Sequence, residues 1–301
     1  MYLHNDQDEF EAAINLTYEK TGIWDVAIEK DYYVTMILRL LSEKIPYAVF
    51  KGGTSLQKCH GVINRFSEDI DIAVDTSASQ GMRKKMKQAI IDIAAELGLS
   101  IPNVKDTHSR RDYNRYIFAY NSVIAGGSEL TSAVILETSY TAISFPTVIL
   151  PVSNYIGKMM EDEAPDAIEK VKLDSFMMKV QRIDRTLADK VFAICDYYLQ
   201  DRVSLHSRHI YDVYKLLPLV PQDDSFRALV NEVRRERMKS HVCPSAAQEC
   251  DVPALLLRIA DSRAYEADYK NLTAKLLNDG VSYDTAVTAL CEIAKSGMFS
   301  Q

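Results

Sequence analysis

At 301 residues, with 47% hydrophobic and 26% charged side chains, the chain is long enough to bury one large or two modest cores and has an ordinary globular make-up. A formal charge of −7 argues against a general nucleic-acid-binding surface, leaving any RNA contact to local basic patches. Five scattered cysteines (Cys59, Cys195, Cys243, Cys250 and Cys291) give no sign of a disulfide framework or a zinc site. The start of the chain lacks a signal-peptide pattern and no run reaches membrane-spanning length, so a cytoplasmic setting without membrane contact is expected.

In chain order, residues 8–44 read as helices, with Ile37, Leu38 and Leu41 on one apolar stripe. Ala48-Val49-Phe50 is a short strand, Gly52-Gly53 a turn, and Thr54–Cys59 the start of a helix. Phe66–Val74 alternates apolar and acidic residues as a strand does, and residues 81–97 place Met82, Met86, Ile90, Ile93 and Leu97 on one helical face. Tyr113–Ile124 and Thr131–Tyr140 read as two strands around a Gly126-Gly127 turn. After about Pro151 the texture turns helical, with segments at 186–199, 208–217, 224–237, 254–277 and 282–295. The expected layout is an α/β (α+β) half at 1–150 and a helical half at 151–301.

The run Phe50-Lys51-Gly52-Gly53-Thr54-Ser55-Leu56, followed by Arg65-Phe66-Ser67-Glu68-Asp69-Ile70-Asp71-Ile72, carries the chemistry. Strand side chains alternate, so Asp69 and Asp71 project to one side and can hold Mg²⁺ against the charge of a phosphate chain. The glycines let backbone N–H groups approach phosphates, and together these features describe a nucleotidyltransferase site. Thr54 and Ser55 suit either phosphate contact or helix capping. Lys51 adds charge before the turn. Ser67 either orients Asp69 or ends a loop, and Arg65 suits a phosphate contact or a surface salt bridge. Glu137, the carboxylate in the apolar run Val134–Ser139, is the candidate third acid, with a solvent-facing strand end as the alternative.

Lys51–Leu56 and Ser67–Asp71 resemble the AbiEii/AbiGii (MenT-like) nucleotidyltransferase toxins of the DNA polymerase β-like superfamily. Further on, Thr186-Leu187-Ala188-Asp189-Lys190-Val191-Phe192-Ala193 resembles that family's Lys-x-x-Ala motif. Ser207-Arg208-His209-Ile210-Tyr211-Asp212-Val213-Tyr214 resembles its final motif, with His209 where Asp is commoner, so the likeness carries to Arg208 and Asp212 alone. Glu29-Lys30-Asp31-Tyr32 also matches a family segment and reads as a buttress built of salt bridges.

The resemblance implies a small mixed-sheet nucleotidyltransferase core with N-terminal helices and a C-terminal helical domain. It also implies a toxin of a toxin–antitoxin or phage-defence pair, with a cognate antitoxin as partner. Such a toxin transfers nucleotides from an NTP to RNA, the tRNA 3′ end above all, and so blocks translation. In that picture Asp69, Asp71 and Glu137 hold Mg²⁺, Lys51 to Ser55 and Arg208 meet the nucleotide, and Lys190 supplies charge for the β- and γ-phosphates. Asp212 fixes Lys190 or assists the nucleophile.

For the acceptor, His108–Tyr116 interleaves cations with aromatics, as phosphate contact and base stacking require. Arg83–Lys87 and Arg234–Lys239 are further basic runs, of the kind that most often form solvated faces. His209 reads as a packing or phosphate-contacting residue rather than a general base. Two other readings stay open: transfer to a protein or small-molecule acceptor, which an acidic protein suits, and an inactive binding module, which the intact Gly52-Gly53 and Asp69-x-Asp71 oppose.

Overall fold

The computed structural model describes residues 1–67, 69–124 and 132–300. The turn expected at Gly126-Gly127 lies outside them. The chain forms two compact units, one of Met1–Cys59 with Glu68–Val180, the other of His60–Ser67 with Gln181–Gln301.

The first unit begins with α1 (Gln7–Thr21) and α2 (Asp25–Lys44). Asp6 caps α1 by accepting from the Glu9 amide, and Gly22 ends it in the left-handed conformation. Helix α2 is apolar on nearly every face, with Ile28, Tyr32, Met36, Ile37, Leu38 and Leu41 all sealed from solvent, as a helix at the centre of a core must be. Then follow β1 (Ala48–Lys51), α3 (Gly52–Lys58), β2 (Ile70–Val74), α4 (Gln80–Glu96), β3 (Tyr113–Ala119) and β4 (Ala133–Ile143). The unit closes with β5 (Thr147–Val152), α5 (Tyr155–Glu163), α6 (Pro165–Ile168) and β6 (Phe176–Gln181).

Six strands make one mixed sheet in the order β3-β4-β2-β1-β6-β5. The pairs β3/β4 and β2/β1 are antiparallel, and β4/β2 and β1/β6 parallel. One sheet face is apolar: Phe50, Ile70, Ile72, Val134, Leu136, Tyr116 and Phe118 join the core that α2 and α4 cover. The opposite face receives the alternate residues, and these carry the charges discussed below.

The acidic strand is shorter than its pattern suggests, since Asp69 precedes β2 rather than lying in it. The boundary expected at residue 150 falls inside β5. That strand is at the edge of the sheet, where Pro151 can be accommodated because no ladder partner needs its missing N–H on the open side. Strand β6 hides in Phe176-Met177-Met178-Lys179-Val180-Gln181, where two methionines blur the apolar alternation that burial of Met178 and Val180 makes plain.

The second unit is helical: α7 (Ile183–Leu199), α8 (Arg208–Leu216), α9 (Asp224–Arg237), α10 (Val252–Asp261), α11 (Glu266–Asp268), α12 (Ala274–Leu276) and α13 (Tyr283–Ser296). The continuous helix expected over 254–277 is broken. Helix α10 stops before Arg263, whose φ of 52° is left-handed. Two buried tyrosines then anchor the irregular stretch, Tyr265 donating to the Ile194 carbonyl at 2.6 Å and Tyr269 to the Val281 carbonyl at 3.0 Å. The segment 60–67 joins this unit through an isolated antiparallel bridge between Arg65 and Leu277.

Candidate active site

Strand register brings the first set of charges together. Lys51 on β1 is opposite Asp71 on β2, Asp71 is opposite Glu137 on β4, and Glu137 is opposite Arg115 on β3. Paired residues of adjacent strands share a face, with backbones about 4.8 Å apart. The result is a row across the sheet that reads cation, carboxylate, carboxylate, cation. Arg115 Nε lies 4.0 Å from Glu137 Oε1, with side chains 50% and 31% exposed, a separation and exposure at which an ion pair holds weakly. Tyr113, two residues before Arg115 on the same face, has its hydroxyl raised above the usual tyrosine range. Burial is the main cause, and a hydrogen bond to Glu137 adds to it, with the Asp71 charge contributing further.

Gly52 fits against this row. Its φ is +80°, and a Cβ placed on it would sit 2.0 Å from Asp71 Oδ2. No side chain fits between that backbone and the carboxylate. The next two hydroxyls turn inward and brace the loop. Thr54 Oγ1 donates to the backbone carbonyl of Asp69 at 2.6 Å, and Ser55 Oγ donates to the Gly52 carbonyl at 2.9 Å. Both side chains are buried, so their hydroxyls fix the position of Asp69 and of the turn. Helix α3 is held at its far end by a buried ion pair between Lys58 and Asp31 of α2, and Asp31 also accepts from the Tyr155 amide at 3.0 Å. Glu29, two residues earlier on α2, accepts from Ser122 Oγ at 2.6 Å and the Val123 amide at 2.8 Å. Its carboxyl is raised by burial, which these two bonds partly offset.

The donor set of the row is hard oxygen, which suits Mg²⁺. Among the described residues no three of the histidine, cysteine, aspartate and glutamate side chains are grouped to hold a metal ion by themselves. Mg²⁺ at phosphoryl-transfer sites commonly takes one or two carboxylates and completes its shell with water and phosphate oxygens, so a pair such as Asp71 and Glu137 fits that mode.

The second set is in the second unit. Asp212 is fully buried, and Arg65 grips it through two hydrogen bonds, Nε to Oδ1 at 2.7 Å and Nη2 to Oδ2 at 2.8 Å. Lys190 Nζ donates to the same Oδ2 at 2.6 Å and lies 3.4 Å from His209 Nδ1. Burial alone would raise the Asp212 carboxyl, but the Arg65 and Lys190 charges more than offset it and hold the carboxyl well below the usual range. Burial lowers Lys190, Asp212 opposes that, and Arg65 and Arg208 reinforce it. His209 is pushed well below its ordinary value, first by burial and then by the Lys190 charge. The Asp212 carboxylate therefore faces two cations at hydrogen-bond distance, Arg65 and Lys190, and the Arg208 charge acts on Lys190.

Residues 37–289 match the model of the family described as nucleotidyl transferase AbiEii toxin, type IV toxin–antitoxin system. The chain belongs to the AbiEii toxin family. The match spans most of the chain, including both strands of the carboxylate row and both members of the Lys190–Asp212 pair. No curated protein matches the chain.

Within this AbiEii chain the structure brings Lys51, Gly52, Asp71 and Glu137 to one row, with Asp69 two residues before Asp71 on the braced loop. Gly53, Thr54 and Ser55 form the first turn of α3. Lys190, Arg208 and Asp212 cluster separately in the second unit. Arg65 is neither a surface ion-pair member nor an open phosphate contact, being 2% exposed and donating to the Asp212 carboxylate through Nε and Nη2 and to the Phe66 carbonyl through Nη1. Asp212, doubly paired and held ionised, is the fixing partner of Lys190 and Arg65. Arg115 and Tyr113 fall within the run His108–Tyr116 expected to contact the acceptor, but their place beside Glu137 comes from strand register, which local sequence does not show.

Proposed function

We propose that this AbiEii toxin is a Mg²⁺-dependent nucleotidyltransferase that moves a nucleotide from an NTP onto an RNA 3′ hydroxyl, with the tRNA 3′ end as its acceptor, and so blocks translation. The observation that carries the reading is the in-register pair Asp71 and Glu137 beside Gly52. Two carboxylates share one sheet face there, and the adjoining backbone tolerates no side chain. Asp71 and Glu137 would hold the ion, with Asp69 on the adjoining loop beside them, and when bound it would neutralise phosphate charge and polarise the α-phosphorus. The acceptor oxygen bonds to the α-phosphorus as the bond from that phosphorus to the α,β-bridging oxygen breaks, pyrophosphate leaves, and the hydroxyl proton passes to a carboxylate oxygen of Glu137. Lys51 and the backbone of Gly52 and Gly53 would bind phosphate oxygens. Within the second unit, Asp212 keeps both Lys190 and Arg65 in place.

The RNA part of the reading is supported by β3 and the turn before it. Arg110 and Arg111 are exposed, and Tyr113 and Arg115 stand half-exposed on the site face. Cations beside an open aromatic are what a single-stranded 3′ end stacks on. The toxin–antitoxin setting of the family brings an antitoxin counterpart into the reading. The test is incubation of the purified protein with Mg²⁺, total tRNA and each NTP in turn, labelled on the α- or the γ-phosphate. Label from the α-phosphate in a lengthened tRNA is expected. Label in protein or a small molecule alone would replace the acceptor, and transfer of the γ-phosphate would replace the reaction.

A further inference from the structure

The loop 108–112, between α4 and β3, is strapped down by side chains that precede and follow it. From α4, Gln80 Nε2 donates to the Ser109 carbonyl at 3.3 Å and to its hydroxyl at 3.1 Å, and Arg83 Nη1 donates to Asp112 at 2.9 Å. Asn114, only 4% exposed, closes the loop from inside. Its Oδ1 accepts from the His108 amide at 2.7 Å and its Nδ2 donates to the His108 carbonyl at 3.1 Å. Asn103 clasps β3 itself, donating to the Arg115 carbonyl at 2.8 Å and accepting from the Ile117 amide at 3.1 Å. A segment fixed in this way is ordered on folding, so a ligand that docks on it does not meet that entropic cost.

What the strapped segment displays is cationic. Arg110 and Arg111 are exposed, and the loop's own acid, Asp112, is taken up by Arg83. Arg111 donates through Nη1 to the Asp106 carbonyl at 2.9 Å, a neutral acceptor that leaves its charge uncompensated. Arg115 Nε stops 4.0 Å from Glu137 Oε1, beyond hydrogen-bond distance, with half of its side chain open to solvent. In a chain of net charge −7 this is a local excess of positive charge, beginning at the carboxylate row and continuing along the chain to Arg110. We propose that β3 and the loop 108–112 hold the acceptor RNA strand with a fixed polarity. Its terminal base stacks on Tyr113 with the 3′ hydroxyl at Glu137, Arg115 grips the phosphate on the 5′ side of that nucleoside, and Arg111 and Arg110 hold phosphates upstream. Arg115 and Glu137 occupy paired positions on adjacent strands, so one ribose bridges them, its 3′ hydroxyl on the carboxylate and its 5′ phosphate on the guanidinium. A protein side chain offers no such phosphate, which makes Arg115 the residue that selects a nucleic-acid end. The inference rests on the reading of the carboxylate row as a site that acts on an RNA 3′ hydroxyl.

Binding alone, without Mg²⁺ or NTP, tests the polarity. Short single-stranded RNAs with the sequence of a tRNA 3′ end, each carrying one uncharged methylphosphonate in place of a chosen phosphodiester, are titrated by fluorescence anisotropy. The proteins are the full chain and its Arg115→Met and Arg110→Met variants, whose arginines are exposed and so can be replaced without loss of the fold. Neutralising the last linkage is expected to weaken wild type about tenfold and to leave Arg115→Met unchanged. Neutralising a linkage further upstream should weaken Arg115→Met as much as wild type and spare Arg110→Met. No binding of the RNA, or an equal loss at the last linkage in wild type and Arg115→Met, would overturn the proposal. Coupling of the last linkage to Arg110 instead would also overturn it, because the strand would then run the other way. The expected coupling in a protein that transfers no α-phosphate label to tRNA would remove the proposed reaction and keep the acceptor strand. Label transfer to tRNA without the coupling would keep the reaction and remove the strand.

Discussion

Gly52 links backbone conformation to chemistry at a single residue. Its left-handed φ costs a non-glycine residue about 1–2 kcal/mol, and its Cβ would in addition strike the Asp71 carboxylate. Gly52→Ala is therefore expected to lower the melting temperature and to abolish turnover, because relief of the clash moves Asp71 out of the row; calorimetry and label transfer on one preparation would show both. The Asp212 carboxylate presents the converse situation, a buried charge that is fully paired. Asp212→Asn leaves Arg65 and Lys190 buried without an anion and should cost about 3–5 kcal/mol by urea unfolding. The pH dependence follows from the same pairing. A carboxyl depressed in the folded state contributes stability that is complete above the ordinary carboxylate pKa of about 4, and that contribution is lost as pH falls below it. The stability slope in that acid window should flatten in Asp212→Asn. His209 acts at higher pH. Held neutral by burial and by Lys190, it makes the folded state bind fewer protons, so stability declines as pH drops below about 6.5. His209→Gln should shrink that decline, read from melting temperatures between pH 7 and pH 5.

Local pattern carried information at the scale of elements wherever burial is one-sided. Helix α4 was legible from its stripe, and so was β3 from its alternation of exposed and buried residues. In two of the regions misread, tertiary context overrides the local signal. Pro151 marks a boundary by itself but is tolerated at the open edge of the sheet, and the chain after Asp261 leaves its helix because Tyr265 and Tyr269 are pulled into hydrogen bonds with distant carbonyls. The Asp31–Lys58 pair illustrates how one element steadies another. It ties α3 to α2 and thereby supports the loop on which Asp69 and Gly52 depend. Lys58→Met removes the tie while keeping the side chain's bulk. It is expected to leave a buried Asp31 uncompensated, to destabilise the protein by about 3 kcal/mol in urea unfolding, and to lower turnover with little change in KM for the NTP.

On the scale of the whole molecule, the site depends on partners far apart in sequence. Arg65 and Asp212 are separated by 147 positions, and no spacing rule reveals that a loop arginine belongs to the helical unit. The row Lys51–Asp71–Glu137–Arg115 likewise draws on four strands, so Lys51 and the Asp-x-Asp motif were legible while the place of Arg115 beside Glu137 was not. What local sequence does convey is the glycine turn and the acids, because each is needed for its own backbone or charge. The central claim is that the carboxylate row performs nucleotidyl transfer. Its most direct measurement is the rate of α-phosphate label transfer to tRNA by wild type and by Asp71→Asn, with circular dichroism confirming that the variant is folded. The expected result is a loss of at least about a thousandfold in kcat/KM, the scale at which phosphate-charge neutralisation contributes to such reactions. A folded Asp71→Asn protein that transfers label at the wild-type rate would contradict the account.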